Sequence, residues 1–589
     1  MVTAVSAQSV DATNYDGYLN IDCEMLGGHV AINQKSTVQI TQTGDGKCDF
    51  LLPNLMLGDM SLGDISLNDV NVAESNGTTT YTKEETLMGL LDNAIQANVS
   101  LTGTVDAKGL ATMNIPVNWV MDADNTIPIN VTFSTNPTGT EYTGYLNINC
   151  DALGGPIAVN TKASVYIVDI ADGECMFLLP NLALGDMSLG DISLEGVKVA
   201  TESNVTTYTK AATQMGLLDG AINANVSLDG KVDANGLVVM NIPVNWVMDA
   251  DNVIPIDVTF STKPAGTEYD GFLSVAFEES APMVENMGAA VYITETTGGL
   301  CNFLLPNLSL GEGFDLGDIA LTDVTVKEID GVKTYTHDGT DMVIDLMGTP
   351  INAKVTLNGT IDAEGNVDML IPVVWIDANL PINVKFTTKP AGTEYKGTLT
   401  VAFEDSDPMV ENMPASVFIS EDGYGSCNFM LPNLSLGEGF DLGNIALSGV
   451  KVTEADGVKT YTHDGTDMVI DLMGTPINAK VSLNGTIDAE GNVDMLIPVV
   501  WVDANLPINV TFKSKAEAGI IAAEAAADVV IYGVEGAVKV AGVNGVVSVY
   551  STAGAKVAEA IVDGEATIDA PRGIAIVATP ARTAKVVVK

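Results

Sequence analysis

The chain has 589 residues, which exceeds the size of one hydrophobic core and predicts about four domains. Hydrophobic residues make up 46% and charged residues 17%, so packed cores are expected and a disordered polyanion is excluded. The formal net charge of -50 argues against binding to nucleic acid or to an anionic membrane surface, because both require clustered cations. No apolar run reaches the length of about 18 residues that a transmembrane helix needs.

One sequence unit is repeated four times along the chain. Related strings of the type Tyr-x-Gly-x-Leu begin at Tyr15, Tyr142, Tyr269 and Tyr395. A Leu-Pro-Asn tripeptide follows the same period, and the four tryptophans fall one to each repeat at Trp119, Trp246, Trp375 and Trp501. The period matches an independently folded domain rather than the rung of a solenoid. We therefore predict domains over residues 14–138, 139–265, 266–391 and 392–515, with a preceding segment 1–13, a linker 516–527 and a last domain 528–589.

Within a repeat, apolar and polar residues alternate with a period of two. Ile382, Val384 and Phe386 share one face of a segment, as in a half-buried strand. In the third repeat we predict strands at 269–278, 289–296, 299–310, 316–329, 332–338, 351–362, 366–377 and 380–389. No segment is long enough for a crossover helix, so antiparallel hairpins are expected. The predicted fold class is all-β, with four eight-stranded up-and-down barrels, and a sandwich is the alternative.

The repeated motifs resemble a known family. The order Tyr-x-Gly-x-Leu-x-Val, Phe-Leu-Leu-Pro-Asn-Leu, Leu-Gly-Asp-Ile and Pro-Ile-x-Val-x-Phe is similar to the calycin-like (lipocalin-like) barrel domains of exported Bacteroidetes proteins. This resemblance covers residues 14 to 515 and implies eight-stranded barrels in an exported protein. The N-terminal Gly-x-Trp strand that is typical of lipocalins is absent.

Both ends of the chain have features of exported proteins. The short β-branched segments of residues 528–589 predict a small β-sandwich. The strings at Val549 and Gly573 and the terminal Lys-Val-Val-Val-Lys resemble the C-terminal sorting domains of the type IX secretion route, although Ala575 replaces the usual aromatic residue. Val5-Ser6-Ala7 is typical of the end of a secretory signal. We expect a protein that is secreted or lies on the outer cell surface of a Gram-negative bacterium.

The cysteines are the first candidate site residues. The spacing between Cys23 and Cys48 equals that between Cys150 and Cys175, which predicts a disulfide in each of the first two repeats. In the later repeats the positions of Cys23 and Cys150 hold Phe277 and Phe403, whereas Cys301 and Cys427 remain. A position that accepts phenylalanine belongs to a core, so buried apolar thiols are the alternative.

The charged candidates are acidic loops and three histidines. Carboxylates recur at Asp59 and Asp64, at Asp186 and Asp191, and at Glu312, Asp315 and Asp318; Asp-x-Asp pairs occur at Asp122 and Asp124 and at Asp249 and Asp251, reduced to Asp377 and Asp503 in the later repeats. Such loops favour turn formation and solubility, with weak calcium binding as the alternative. We expect His29, His337 and His463 to lie in solvated loops, because lysine replaces the latter two in the first repeats.

No catalytic signature is present, so no enzyme, cofactor or metal site is expected. Methionines such as Met369 and Met495 would line a ligand cavity if the barrels were hollow, or fill it if they are solid, and filled barrels are favoured. The predicted function is the display of repeated barrels for binding or structural assembly. The alternatives are a carrier of small apolar ligands and a surface-layer or filament subunit. The partner is therefore a small apolar ligand or a protein surface, and self-assembly remains open.

Overall fold

The fold is described by a computed structural model of the whole chain. It describes residues 12–515 and 530–589, except positions 45, 59, 123–124, 172, 186, 219, 250–251, 278–281, 297, 310–314, 347–348, 404–405, 422–424, 436–440, 473–474, 535, 552–555 and 580–582. The expected secretory-signal remnant at Val5-Ser6-Ala7 lies outside the described residues.

The chain forms four closed eight-stranded antiparallel barrels in tandem, which confirms the predicted fold class. The first barrel comprises β1 (Thr13–Cys23), β2 (Gly28–Gly44), β3 (Lys47–Leu57), β4 (Met60–Ser75), β5 (Thr78–Leu90), β6 (Ile95–Val105), β7 (Ala111–Val120) and β8 (Thr126–Ser134). The second comprises β9 (Thr140–Cys150), β10 (Gly155–Ala171), β11 (Glu174–Leu184), β12 (Met187–Glu202), β13 (Val205–Leu217), β14 (Ile222–Val232), β15 (Val238–Val247) and β16 (Val253–Ser261).

The third and fourth barrels repeat this arrangement. The third comprises β17 (Thr267–Phe277), β18 (Val284–Glu295), β19 (Leu300–Ser309), β20 (Asp315–Ile329), β21 (Val332–Leu346), β22 (Thr349–Ile361), β23 (Val367–Trp375) and β24 (Leu380–Thr387). The fourth comprises β25 (Thr393–Phe403), β26 (Val410–Glu421), β27 (Ser426–Ser435), β28 (Asp441–Ala455), β29 (Val458–Leu472), β30 (Thr475–Ile487), β31 (Val493–Trp501) and β32 (Leu506–Ser514). Short 3-10 turns at Glu24–Leu26 and Asp151–Leu153 follow β1 and β9.

Hairpin connections and alternating side chains explain the barrel. Each strand pairs with its neighbours in sequence, and β1 pairs with β8 to close the first barrel, with Tyr18 opposite Ser134. In β6, the side chains of Ala97, Val99 and Leu101 are buried and the residues between them are partly or fully exposed. Because strand side chains alternate between faces, the apolar half of every strand points into the barrel.

The eight strands predicted for the third repeat are all present, and the largest difference lies in β21. We predicted that this strand would end at 338, directly before Gly339. Instead the pairing with β22 continues to Leu346 across a shift in register between His337 and Thr340. Gly339 has φ of 123° there, so the glycine forms a β-bulge within a continuous strand.

The chain divides into two compact units, residues 1–389 with three barrels and residues 390–589 with the fourth barrel and the C-terminal domain. The C-terminal domain comprises β33 (Val530–Val534), β34 (Ala537–Ser551), β35 (Lys556–Asp569), β36 (Gly573–Ala578) and β37 (Thr583–Val588). The described strands form one hydrogen-bonded antiparallel sheet, not the two packed sheets of the predicted small β-sandwich. The long strand β34 pairs with β35 along one edge; along its other edge it pairs first with β33 and then with β36. The strands surround an apolar core that includes Val538, Val549 and Val577.

Candidate functional site

The interiors of the barrels are filled by their own side chains. In the first barrel Ile21, Ile65 and Ile115 have no surface accessible to water, and Phe133 is only 1% exposed. Side chains that lined a cavity large enough for water would retain accessible surface, so these residues pack against one another. The same packing recurs in the other barrels around Phe260, Phe386 and Phe512. This packing supports the expectation of filled barrels over hollow ones.

Methionines take part in this packing beside glycines. A Cβ atom on Gly103 would lie 2.1 Å from the Met113 sulfur, so the glycine leaves the space that the methionine side chain occupies. The same pairing occurs between Gly230 and Met240, Gly359 and Met369, and Gly485 and Met495. Met369 and Met495 therefore fill the barrel interior rather than line a ligand cavity.

All six cysteines are buried and free, so the expected Cys23–Cys48 and Cys150–Cys175 disulfides are not formed. Cys23 lies opposite Gly28 at the start of β2, and Cys48 lies opposite Gln42 near its end. A strand rises about 3.3 Å per residue, so these two cysteines lie near opposite ends of the barrel. Disulfides need Cα atoms within about 7 Å, and this geometry excludes them within a barrel.

The buried thiols are expected to be unreactive in the folded protein. Burial, followed by the nearby Asp49 carboxylate, raises the pKa of the Cys48 thiol to about 11, and burial likewise raises the pKa values of Cys175 and Cys301 to about 11. Because the thiolate is the reactive form, a thiol reagent at neutral pH should label the folded chain very slowly. In denaturant it should label all six thiols without added reductant. Labelling of only two thiols there would indicate the disulfides that the sequence suggested.

In the first two barrels, the acidic residue of the Leu-Gly-Asp-Ile motif caps a bulge in the neighbouring strand. The backbone N–H of Asn54 donates to Asp64 Oδ1 at 2.9 Å, and Asn181 and Asp191 repeat this bond at 2.9 Å. Asn54 and Asn181 have positive φ, which asparagine tolerates, so the Leu-Pro-Asn and Leu-Gly-Asp motifs form one structural unit.

The described residues contain no cluster of three or more side chains that could hold a metal ion. The described residues do not include Asp59, Asp124, Asp186, Asp251 and Glu312, and the side chain of Asp315 also lies outside the described part. In the Asp-x-Asp turns, Asp122 and Asp249 accept hydrogen bonds from Asn125 and Asn252, which matches the expected turn formation.

The histidines make short-range contacts. His29 Nδ1 lies 2.5 Å from Asp22 Oδ1, with both side chains exposed. His337 Nδ1 accepts a hydrogen bond from the Gly339 N–H at 3.2 Å within the β21 bulge, and His463 repeats it with Gly465. His337 and His463 therefore stabilise a bulge in a strand, whereas we expected them in loops.

Asp191 also connects the first two barrels. The Lys35 ammonium on β2 lies 3.3 Å from Asp191 Oδ1 on β12, and the Tyr18 hydroxyl donates a hydrogen bond to the same carboxylate. Tyr18 packs with Tyr166 and Leu178 in a small apolar cluster between the barrels. Burial, and then the Asp191 charge, raises the pKa of Tyr18, which therefore stays protonated as the donor.

The same junction recurs between the second and third barrels. Lys162 lies 3.4 Å from Asp318 Oδ1, the Tyr145 hydroxyl donates to Asp318, and Tyr145 packs with Tyr292 and Leu304. The order and chemistry of the contacts are unchanged, so three barrels are joined in series by one repeated interface.

A buried asparagine holds the linker at each junction. Asn33 Nδ2 donates to the Thr138 carbonyl at 2.9 Å, and the Thr138 N–H donates to Asn33 Oδ1 at 2.8 Å. Asn160 makes the same two bonds with Ala265. The linker backbone is thus paired as it would be in a sheet. Sequence reasoning missed these residues, although asparagine recurs with the repeat period at Asn33 and Asn160.

The wall of the first barrel carries a groove of about 420 Å³, with hydroxyl side chains at its edge and Met113 and Phe133 also in its lining. Thr102, Thr104, Thr112 and Ser134 contribute to its lining. In the second barrel, the positions that correspond to Thr102, Thr104 and Thr112 hold Asp229, Lys231 and Val239. The chemistry of this surface therefore differs between the first and second barrels.

One end of every barrel carries exposed apolar side chains. The β1–β2 and β7–β8 connections lie at the same end, and the 3-10 turn at Glu24–Leu26 contacts β8. We call this end the rim and define it in each barrel by the corresponding two connections. Its exposed apolar residues are Met25 (71%), Leu26 (59%) and Met121 (57%) in the first barrel, Leu153 and Met248 in the second, Met283 and Ile376 in the third, and Met409 and Val502 in the fourth.

A family model for the calycin-like beta-barrel domain matches residues 12–136, 139–263, 266–389 and 392–515. The chain therefore belongs to the calycin-like beta-barrel domain family, with four domains in tandem. No curated protein is similar to the chain at a significant level. No helix in the described part of the chain is both long and apolar enough to cross a membrane.

Three solved structures share local similarity with the chain. A Bacteroides fragilis protein whose name assigns it to the outer membrane is 14% identical, with 42% of this chain and 97% of that chain covered and a TM-score of 0.17. Transferrin binding protein B of Neisseria meningitidis is 9% identical, with coverages of 68% and 83% and a TM-score of 0.12. Intact Ap-TbpB is 10% identical, with coverages of 74% and 86% and a TM-score of 0.13.

Proposed function

We propose that this protein is a non-enzymatic binding or assembly protein that presents four barrels at the outer surface of a Gram-negative bacterium or in its surroundings. The packing of the barrel interiors carries the proposal. Because Phe133 and the residues around it fill the interior, a ligand has no room there without rearrangement. Binding must then use the outer surface of the barrels. Four tandem domains present this surface in four copies, which increases the avidity for a multivalent partner.

The same packing disfavours the carrier alternative, which needs a cavity of about 300 Å³ or more inside each barrel. The chemistry of the buried groups also disfavours an enzyme. The Cys48 thiol and the Tyr81 hydroxyl have pKa values raised to about 11 and about 12, mainly by burial, so both are neutral and poor nucleophiles.

Structural assembly is supported by a separate observation. The Lys35–Asp191 and Lys162–Asp318 contacts join consecutive barrels in the same way, so barrels of this type pack in series. A filament would repeat such a junction between chains. The first barrel differs in one respect, because Gln39 occupies the position that Tyr166 and Tyr292 hold in the junctions. This polar side chain disfavours the same apolar contact between the first barrel of one chain and the last barrel of another.

The proposed location depends on the C-terminal domain, whose sequence resembles a sorting domain. Deletion of residues 528–589 in the source bacterium should leave the four barrels inside the cell, because the sorting sequence is lost. Protease added to intact cells should digest the full chain, or the full chain should appear in the medium, and the truncated chain should stay protected. Equal exposure of both chains would contradict the sorting role.

The protein recovered from those cells also tests the binding mode. Native mass spectrometry should give the mass of the chain without a bound apolar molecule. A stoichiometric lipid that remains bound would instead support the carrier alternative and contradict the packed interiors.

A further inference from the structure

We propose that the four rims are docking sites for a cationic, amphipathic polypeptide segment of another protein. This inference rests on the proposed binding function and names the surface and the chemistry of the partner. In each barrel the rim combines exposed apolar side chains with carboxylates. In the first barrel Met25, Leu26 and Met121 stand beside Glu24 and Asp122, all of them exposed.

The apolar character of the rim is kept while its sequence and length change. The β7–β8 connection carries an exposed Met121 or Met248 in the first two barrels and an exposed Ile376 or Val502 in the shorter connections of the last two. Chance exposure would not place a large apolar residue in both rim connections of all four barrels. Covering water-exposed methionine and leucine side chains with a partner lowers the free energy of the complex, and methionine adapts to partners of different shape.

Charge determines the class of partner. The β1–β2 and β7–β8 connections contain no Lys or Arg in any repeat, whereas each pair of connections includes carboxylates; the described ones are Glu24 and Asp122, Asp151 and Asp249, Asp377, and Asp407 and Asp503. A second copy of this chain would bring another acidic rim and a net charge of -50, and an anionic lipid surface would be repelled. A segment with lysine or arginine on one side and leucine-like residues on the other complements both features of the rim.

The test uses the full chain and a helical peptide of alternating Leu and Lys faces as the probe. Calorimetric titration should show saturable binding with four sites per chain. The matching Leu/Glu peptide and a Lys/Ser peptide without leucines should bind at least about tenfold more weakly. Changing one barrel with Leu26→Ser and Met121→Ser should reduce the number of sites from four to three.

An eightfold variant extends the test to all four rims. It carries Leu26→Ser, Met121→Ser, Leu153→Ser, Met248→Ser, Met283→Ser, Ile376→Ser, Met409→Ser and Val502→Ser, and it should lose the saturable phase. A control variant with Leu87→Ser, Ile329→Ser, Val343→Ser and Val469→Ser changes exposed apolar residues outside the rims and should bind as the unchanged chain does. Unaltered circular dichroism and protected thiols would show that both variants are folded.

Three outcomes would overturn the proposal: equal binding by the eightfold variant, equal binding of the Lys/Ser peptide, or binding of neutral phosphatidylcholine vesicles that the eightfold variant loses. The last would identify the rims as lipid-binding. None of these results affects cell-surface exposure or the absence of an interior ligand, so the proposed function succeeds or fails separately.

Discussion

Replacement of Phe133 by alanine is expected to cost the first barrel about 3–5 kcal/mol of stability. Phe133 lies on β8 and is only 1% exposed. Its ring contacts Gly17 on the adjacent strand β1, where an added Cβ would lie 2.8 Å from the ring. Removing the ring leaves a cavity that its neighbours cannot fill, because the strands are held by a closed ladder of hydrogen bonds.

Hydrogen exchange measured by mass spectrometry can assign this loss to one barrel. Amides in residues 13–134 that exchange by unfolding of the barrel should exchange roughly 100-fold to 4,000-fold faster, and those of the second barrel should change little. Leu87→Ala is the matched control, since Leu87 is exposed on the outer wall of the same barrel and its truncation should cost less than about 0.5 kcal/mol. Unchanged exchange in Phe133→Ala would contradict a packed interior and revive the carrier alternative.

The barrel could be predicted because its determinants are local. Alternation such as that of Ile382, Val384 and Phe386 assigns an inner and an outer face, and short turns force antiparallel neighbours. The repeat period then shows that the same strand pattern occurs four times, once in each domain. The local pattern was misleading at Gly339, because a glycine after an aspartate occurs both in turns and in β-bulges. Here the glycine forms a bulge, and the strand β21 continues beyond it.

The contacts between distant segments could not be predicted in the same way. The spacing of Cys23 and Cys48 suggested a disulfide, but the intervening β2 spans the barrel and places them near opposite ends. Asp191 was considered as a calcium ligand from its own loop, whereas its partners Tyr18 and Lys35 lie in the preceding repeat. A single sequence contains the acidic residue and its spacing, but not the neighbouring barrel that uses it.

Replacement of Asn33 by glycine is expected to release the linker between the first and second barrels. Asn33 has φ of 50°, which glycine adopts readily, so this variant removes the side chain without backbone strain. It leaves the N–H and carbonyl of Thr138 without their buried partners, at a cost of about 2 kcal/mol. The linker should then open about 30-fold more often.

Limited proteolysis with a protease of broad specificity measures this opening. Cleavage of Asn33→Gly near residues 135–139 should be about 30-fold faster than in the unchanged chain, and both barrels should survive as folded fragments because their interiors are separate cores. Asn76→Gly is the matched control: Asn76 also has positive φ, at 53°, but it lies in an exposed hairpin turn of the same barrel. Equal cleavage rates in Asn33→Gly and Asn76→Gly would show that the Tyr18–Asp191 and Lys35–Asp191 contacts hold the junction without the asparagine. Asn160→Gly should produce the same effect at the next linker, because Asn160 and Ala265 repeat both hydrogen bonds.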